Sequence, residues 1–391
     1  MLAMPKQLTI QDDEKVKASD LASNPFLSPA DIGTKIRSDA VFNGLKALNP
    51  NVDLQIHKGD VSLDKLSQFN LVIFTDTFSN LDKLFDINDF CRSQKEPIGF
   101  IYTGCLGLFS YLFVDFGDHF KVYDKDGEAP KWYVIDNITK GEPGVVTVDH
   151  SKPHTLNTGD FVRFSDIEGM TELNGPECRP VRVTSTFAFS VEDTSEFNEY
   201  KRGGRAEEVK VPFSISFKSL RDSMTNFLDE EFLQEWSDYR LLTATRFFNL
   251  KVALYTLCMF SHMQQGGIKA SQDPAVEEAR IKQIVDSAKN MLDELKPDVK
   301  FDERIVKQCI QFSQYQLAPL CSFIGGLVAI EAIKFAGKYT PFKGFFFYDC
   351  LACLPDEETP VQIPKELVGT RYEDIVAIFG PDAFEAFRNK R

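Results

Sequence analysis

Residues 317–355 read LAPLCSFIGGLVAIEAIKFAGKYTPFKGFFFYDCLACLP. The run through Phe335 has the small and apolar composition of a helix, and Gly337 and Pro341 end it. Gly344 to Tyr348 is then a continuous apolar strand that stops at Asp349. A strand without polar alternation needs cover on both faces, so this helix and strand read as the closing part of an α/β domain.

Working outward, residues 1–128 alternate strands with helices. Leu8-Thr9-Ile10 is a strand ending at Gln11-Asp12-Asp13, and Pro29-Ala30-Asp31 opens a helical region that runs to Asn49-Pro50. Leu71–Phe74, Leu81–Cys91 and Ile98–Tyr102 form a βαβ unit of a parallel sheet. The period becomes two in residues 129–217: Val181, Val183, Phe187, Phe189 and Val191, then Val209, Val211, Phe213, Ile215 and Phe217, all fall on odd positions. Gly203-Gly204 reads as a turn between these two runs.

Residues 218–316 return to helical spacing, with helices expected at Phe227–Trp236, Phe247–Met263, after Asp273-Pro274 and after Asp302, a small four-helix bundle. Residues 317–355 rejoin the first sheet, which makes the β module and the bundle insertions into one α/β domain. Residues 356–391 read as a linker and lead into a further domain.

Composition bounds the function. The net charge of −14 and pI of about 5.0 argue against nucleic acid and anionic membrane as partners and favour a basic protein surface. The eight cysteines sit mostly in apolar runs, as reduced thiols do, which points to the cytoplasm or nucleus. The N-terminus has no secretory pattern, and Leu317–Ile330, followed by Glu331, is short of the roughly 20 apolar residues of a membrane span, so it reads as a buried core helix.

Individual motifs are weak. No glycine-rich phosphate loop follows a strand, and Gly104-Cys105-Leu106-Gly107 reads as a turn. Asp12 and Asp13 stand where a dinucleotide fold would place a ribose-binding carboxylate, yet without that loop they read as solvated strand-end groups. Gly325-Gly326 suits close helix packing. Cys350-x-x-Cys353 lacks the second ligand pair that structural zinc needs, and His150 with His154 reads as exposed polar loop. Asp166, Glu168 and Glu172, on a loop after a strand, are candidates to face a basic partner.

Taken in order, LAMPKQLTIQDD (2–13), DLASNPFLSPADIGTKIRSDAV (20–41), GLFSYLFVDFGDHFKVYDKDGE (107–128), GDFVRFSDIEGMTELNG (159–175), FAFSVEDTSEFNEYKRGG (187–204), VKVPFSISFKSL (209–220), residues 317–355 and RYEDIVAIFG (371–380) resemble the first half of ubiquitin-activating enzymes. The resemblance implies an inactive adenylation domain of ThiF/MoeB-like, Rossmann-like fold. It would be N-terminally incomplete, because Met1 aligns within the first helix, after the first strand and glycine loop. The inserted β module would be the first catalytic-cysteine half-domain, which carries no nucleophile. One departure is Thr103-Gly104-Cys105-Leu106-Gly107-Leu108-Phe109, where the family has Thr-Arg-Gly-Leu-Phe.

The family adenylates a modifier with ATP and Mg²⁺ and passes it through a thioester to a conjugating enzyme. Those sites lie in the half that residues 1–391 do not match. The resemblance therefore implies a chain with no catalytic residue and no bound cofactor or metal of its own. Its partners would be ubiquitin or a ubiquitin-like protein, which Asp166, Glu168 and Glu172 would help to hold, and an active adenylation domain in cis or in trans. The alternative is a stand-alone pseudoenzyme or scaffold subunit.

Overall fold

The computed structural model describes residues 5–78, 80–226, 243–263, 273–354 and 363–390. The chain divides into two units: residues 1–120, 216–336 and 341–391 form the first, and residues 121–215 with 337–340 the second.

In the first unit, β1 (Gln7–Gln11) and β2 (Asp53–His57) make a parallel pair. A separate four-stranded sheet has the order β15-β5-β4-β3, from β3 (Leu71–Phe74), β4 (Gly99–Leu106), β5 (Phe109–Asp115) and β15 (Gly344–Asp349). β3 and β4 are parallel, as the βαβ reading requires, with α4 (Leu81–Ser93) between them. The expectation of a parallel sheet holds for β3 and β4 but is corrected beyond them: β5 runs antiparallel to both β4 and β15. The reason lies at Gly107, whose φ of 61° closes a tight hairpin instead of a helical crossover. Apolar runs are alike in both sheet types, so the turn alone carried that information.

Alternation assigns the two faces of this sheet. Phe100, Tyr102, Phe109, Tyr111, Phe113, Phe345 and Phe347 point into one core with Phe247, Phe248, Leu250, Leu254 and Leu257 of α6 (Ala244–Met263). The same core takes Ile284, Val285, Ala288 and Leu292 of α7 (Pro274–Leu295), and Val306, Cys309 and Ile310 of α8 (Glu303–Gln311). Both expected caps are present: Asp273 accepts from the Ala275 amide at 2.9 Å and Asp302 from Ile305 at 3.1 Å. The helix expected at Phe227–Trp236 lies outside the described residues. The short α5 (Leu220–Thr225) precedes it, and α1 (Asp20–Ser23), α2 (Arg37–Leu48) and α3 (Leu63–Leu66) connect the early strands.

The opposite face meets α9 (Ala318–Gly337), through Phe323 on Tyr348 with ring centroids 4.5 Å apart and Phe335 on Phe116 at 4.9 Å. This helix corrects the buried-core reading. Only Leu320, Ile324, Val328 and Glu331 are buried, whereas Phe323, Ile330 and Ile333 are 43%, 48% and 44% exposed. Added Cβ atoms at Gly325 and Gly326 would meet nothing within 4 Å, so close packing is not their role among the described residues. Composition reports that a helix is apolar, not what covers it. By length and composition alone α9 also suits a membrane span. Against its buried stripe Glu331 is fully enclosed, accepting from the Phe342 amide at 2.8 Å and from Lys334 Nζ at 2.7 Å. The chain ends in α10 (Glu373–Phe379) and α11 (Pro381–Asn389).

The second unit is a seven-stranded antiparallel sheet of order β10-β9-β13-β7-β8-β12-β11. Its strands are β7 (Trp132–Ile138), β8 (Val145–Val148), β9 (Phe161–Glu168), β10 (Arg179–Pro180), β11 (Arg182–Ser185), β12 (Ala188–Ser190) and β13 (Arg202–Val209). The pair β6 (Phe120–Val122) and β14 (Phe213–Ile215) stands where the chain enters and leaves it.

Val181, Phe189 and Val191 are buried, as their spacing predicts; in the second run Phe217 is buried too, but Val211 and Phe213 are corrected, since both are exposed. The buried positions of β13 are instead Gly204 and Ala206. Gly203 and Gly204 lie within β13, not in a turn; a Cβ on Gly204 would come within 2.6 Å of the Ile167 side chain. Close strand approach, not reversal, requires glycine there. His154 is also buried, against the reading as exposed loop: its ring meets Tyr133 and Phe189 edge-on, and Nε2 lies 3.3 Å from the Ala188 carbonyl.

Two stability outcomes follow from the first unit. A Cβ at Gly107 would lie 2.5 Å from the Phe312 carbonyl oxygen, so Gly107→Ala is expected to cost about 2 kcal/mol or more in urea unfolding. Asp374 is buried and accepts from the Gln316 amide at 2.8 Å, and burial, with the Glu373 and Asp20 charges adding, raises its pKa to about 6. Because the folded value exceeds the usual 3.8, its stabilising proton is fully held below about pH 4 and lost as pH rises through 6. Asp374→Asn keeps the acceptor and is expected to gain on the order of 2 kcal/mol at pH 7.5 and nothing at pH 4, read by thermal unfolding at the two pH values.

Candidate protein-docking surface

The three candidate carboxylates all belong to the second unit, but not to one loop. Asp166 and Glu168 are in β9 itself, and Glu172 is in the 3₁₀ turn Thr171–Leu173. That corrects the loop placement; the strand continues because β13 pairs with it as far as Glu168, opposite Arg202. Asn174 then clamps the end, accepting from the Ile167 amide at 3.0 Å and donating to the Ile167 carbonyl at 2.8 Å.

The geometry separates the three groups. Glu168 is gripped by both arms of Arg202, at 2.8 and 3.2 Å, and that guanidinium holds its pKa below the ordinary value. Glu172 accepts from the backbone and side chain of Asn198 at 2.8 and 2.7 Å, and amide hydrogen bonds, its own first, lower its pKa. Asp166 is exposed, has a left-handed φ of 63°, and meets the Ser165 hydroxyl at 3.1 Å. Two of the three therefore serve internal contacts first, and Asp166 is the carboxylate best placed to meet another molecule.

Sequence reading missed Trp132. It is 53% exposed on β7, out of phase with the buried Tyr133 and Ile135, and Arg205 and Lys152 lie over its ring. Val134 shares its face, across from Arg205. The signal was available: an aromatic on the polar phase of an alternating strand.

The glycines of the 104–107 stretch serve the strand and its turn. Gly104 is inside β4 against Thr77 and Tyr111, and Gly107 closes the hairpin. The Asp12 carboxylate, read as a solvated strand end, is held by Arg37 at 2.9 and 3.2 Å, while Asp13 accepts from the Gly59 amide at 2.7 Å. A cavity of about 350 Å³ beside the first turn of α9, lined by Leu21, Pro25, Gln316, Pro319 and Tyr372, has Arg371 as its charged side chain. Cys350 and Cys353 bracket a 3₁₀ turn, and among the described residues no three or more His, Cys, Asp or Glu side chains group as a metal site.

Fold and surface thus describe an α/β chain carrying a β module with an exposed face. Residues 141–210 match the family described as the Ubiquitin-activating enzyme E1 FCCH domain. Ubiquitin-like modifier-activating enzyme 1 of Mus musculus is 33% identical over 99% of this chain. Ubiquitin-activating enzyme E1 1 of Triticum aestivum is 34% identical over 97%, and Ubiquitin-like modifier-activating enzyme 6 of Homo sapiens 34% over 100%. The chain is a relative of the ubiquitin-like modifier-activating enzymes along nearly its whole length. It spans about a third, 35–36%, of the length of these relatives. A solved structure of E. coli MccB with MccA-N7isoASN aligns with 32% of this chain and 36% of that one at 12% identity, with a TM-score of 0.25.

Burial separates the two aromatic rings in the second unit. His154→Ala is expected to lower stability by about 2 kcal/mol through the cavity it leaves, and Trp132→Ala by less than about 1 kcal/mol, in parallel denaturant titrations.

Proposed function

We propose that this chain is a non-catalytic part of a ubiquitin-activating enzyme, supporting ATP-dependent adenylation and thioester formation of ubiquitin or a ubiquitin-like modifier. In this reading residues 1–128 and 317–355 are an inactive ThiF/MoeB-like adenylation domain, 129–217 the first catalytic-cysteine half-domain, 218–316 a four-helix bundle and 356–391 the lead into the active domain. ATP and Mg²⁺ belong to an active adenylation domain, joined in cis or in trans, and the conjugating enzyme docks elsewhere in the half that residues 1–391 do not match. The protein acts in the cytoplasm or nucleus.

The observation that carries this reading is α9, an apolar helix docked by one stripe with Phe323, Ile330, Ile333 and two open glycines on the other. An exposed apolar face of this kind marks a protein interface. The active adenylation domain is the partner that would cover it.

Two experiments test it. Ile330→Glu with Ile333→Glu is expected to weaken association with a separately expressed active adenylation domain of a related enzyme by about 30-fold or more, the cost of burying charge at an interface centre. Unchanged association would sink the assignment of α9. Replacing Asp166, Glu168 and Glu172 together by alanine is expected to weaken ubiquitin binding about three- to tenfold at low salt and less at high salt, because rim charges contribute modestly and are screened. A titration that matches the unsubstituted chain at both salt concentrations would remove these residues from the modifier surface.

A further inference from the structure

In the seven-stranded sheet β7 is the middle strand, β13 lies beside it and β9 beyond. Alternation sends Tyr133, Ile135, Phe164 and Ala206 of these strands into the core of the second unit and leaves the other face to solvent. Register sets two rows across that open face: Trp132 with Glu207 and Arg163, and Val134 with Arg205 and Ser165. All six side chains are exposed. An indole and a valine standing together on a wet sheet face offer apolar area that the fold itself does not use.

The charge around that indole is opposite in sign to the chain. The Arg205 guanidinium carbon lies over the ring at 5.3 Å from its centroid, and Lys152 Nζ, from the loop after β8, at 6.0 Å. Among the described residues neither cation has a carboxylate within ion-pair distance. Asp149, the acid nearest to Lys152 in sequence, turns instead to the Ser151 amide at 2.8 Å. Lys131 directs its ammonium to the Thr155 hydroxyl at 3.2 Å. Glu207 is the acidic member of the six, and Arg163 holds it at 2.8 Å. On a chain of net charge −14, cations gathered without counter-ions at one exposed ring are a local reversal. A cation resting on a ring keeps its charge, so it can meet a carboxylate from another molecule while the ring meets an apolar group.

We propose that the face built on Trp132 docks a short acidic segment of another protein, with an apolar side chain laid on Trp132 and Val134 and flanking carboxylates on Arg205 and Lys152. Charge complementarity selects this occupant, because the ring supplies the apolar contact and the two cations fix the sign of what surrounds it. A nucleic acid would also bring a ring and negative charge. Its dense phosphates would meet Glu207 in the same face and the repulsion of a chain at −14, whereas a short peptide carries few charges. The site is independent of the carboxylates at Asp166, Glu168 and Glu172, which call for a partner of the opposite sign, and of the face of α9.

The full 391-residue chain is titrated into a fluorescein-labelled peptide, Gly-Asp-Glu-Phe-Glu-Asp-Gly, and binding is read by fluorescence anisotropy at low and high salt. The same peptide with Asn and Gln for its acids, and one with Ala for its Phe, are run beside it. The acidic peptide is expected to bind at low salt, about tenfold more weakly at high salt, and each control peptide about tenfold more weakly than the parent. Trp132→Ala and Arg205→Glu should each weaken binding about tenfold, Trp132→Phe about threefold or less, and Asp166→Ala not at all. Equal affinity for the acidic and amide peptides overturns the proposal, as does binding weaker than about 1 mM or unchanged by Trp132→Ala. Tighter binding of a labelled oligothymidine of similar length would assign the face to nucleic acid and overturn it too. Because the peptide comparison is made on the unsubstituted chain, the outcome stands even if a variant fails to fold.

Discussion

The structure depends on one aromatic layer. Seven Phe and Tyr rings from β4, β5 and β15 share a face, and α4, α6, α7 and α8 are fastened to it. Tyr102 and Tyr111 have ring centroids 4.8 Å apart, Phe113 and Phe345 4.8 Å, and Phe347 reaches Phe247 of α6 at 5.1 Å. Each buried ring removes enough apolar surface to contribute about 2–3 kcal/mol, so the layer outweighs any polar contact around it. Its polar atoms are also used: Tyr111 donates to the Thr77 hydroxyl at 2.8 Å and Tyr102 to the Thr77 carbonyl at 3.2 Å. The segment after β3 is thereby tied to the strands it must clear.

Because that layer occupies one face, the other face is left to α9. There the packing is thinner. Glu331 shows how closely the inner stripe is held, since a carboxylate enclosed in protein is tolerable only with its lone pairs met, here by Lys334 and the Phe342 amide. The outer stripe has no such constraint and remains apolar and open. A helix with one stripe docked and the other open is the feature on which the proposed partner rests.

The second unit solves a different problem. Its core is closed by alternation within one antiparallel sheet, so chemistry is left to what its outer positions carry. Several charges there are already engaged: Glu168 by Arg202, Glu207 by Arg163 at 2.8 Å, and Arg179 by neighbouring carboxylates. Such pairs shape a surface more than they stabilise it. Asp166 and Trp132 stand out because one is in a left-handed conformation with few partners and the other is an aromatic ring on the wet side of a strand.

Much of this was legible in the amino-acid order. The βαβ unit, the caps at Asp273 and Asp302, the buried alternation around Phe189 and the return of Gly344–Tyr348 to the first sheet are local signals, set by period and by capping chemistry. The family resemblance was legible too, since whole phrases of sequence carry it. What sequence alone could not determine were relations between distant segments. Hairpin or crossover after β4 turned on the φ of one glycine. Whether His154, Glu168 or Asp12 was free depended on Phe189, Arg202 and Arg37, which arrive from elsewhere in the chain. Which stripe of an apolar helix is covered is likewise decided only when strands and helices stack. Period is written along the chain, but burial and partnership belong to the space between its parts.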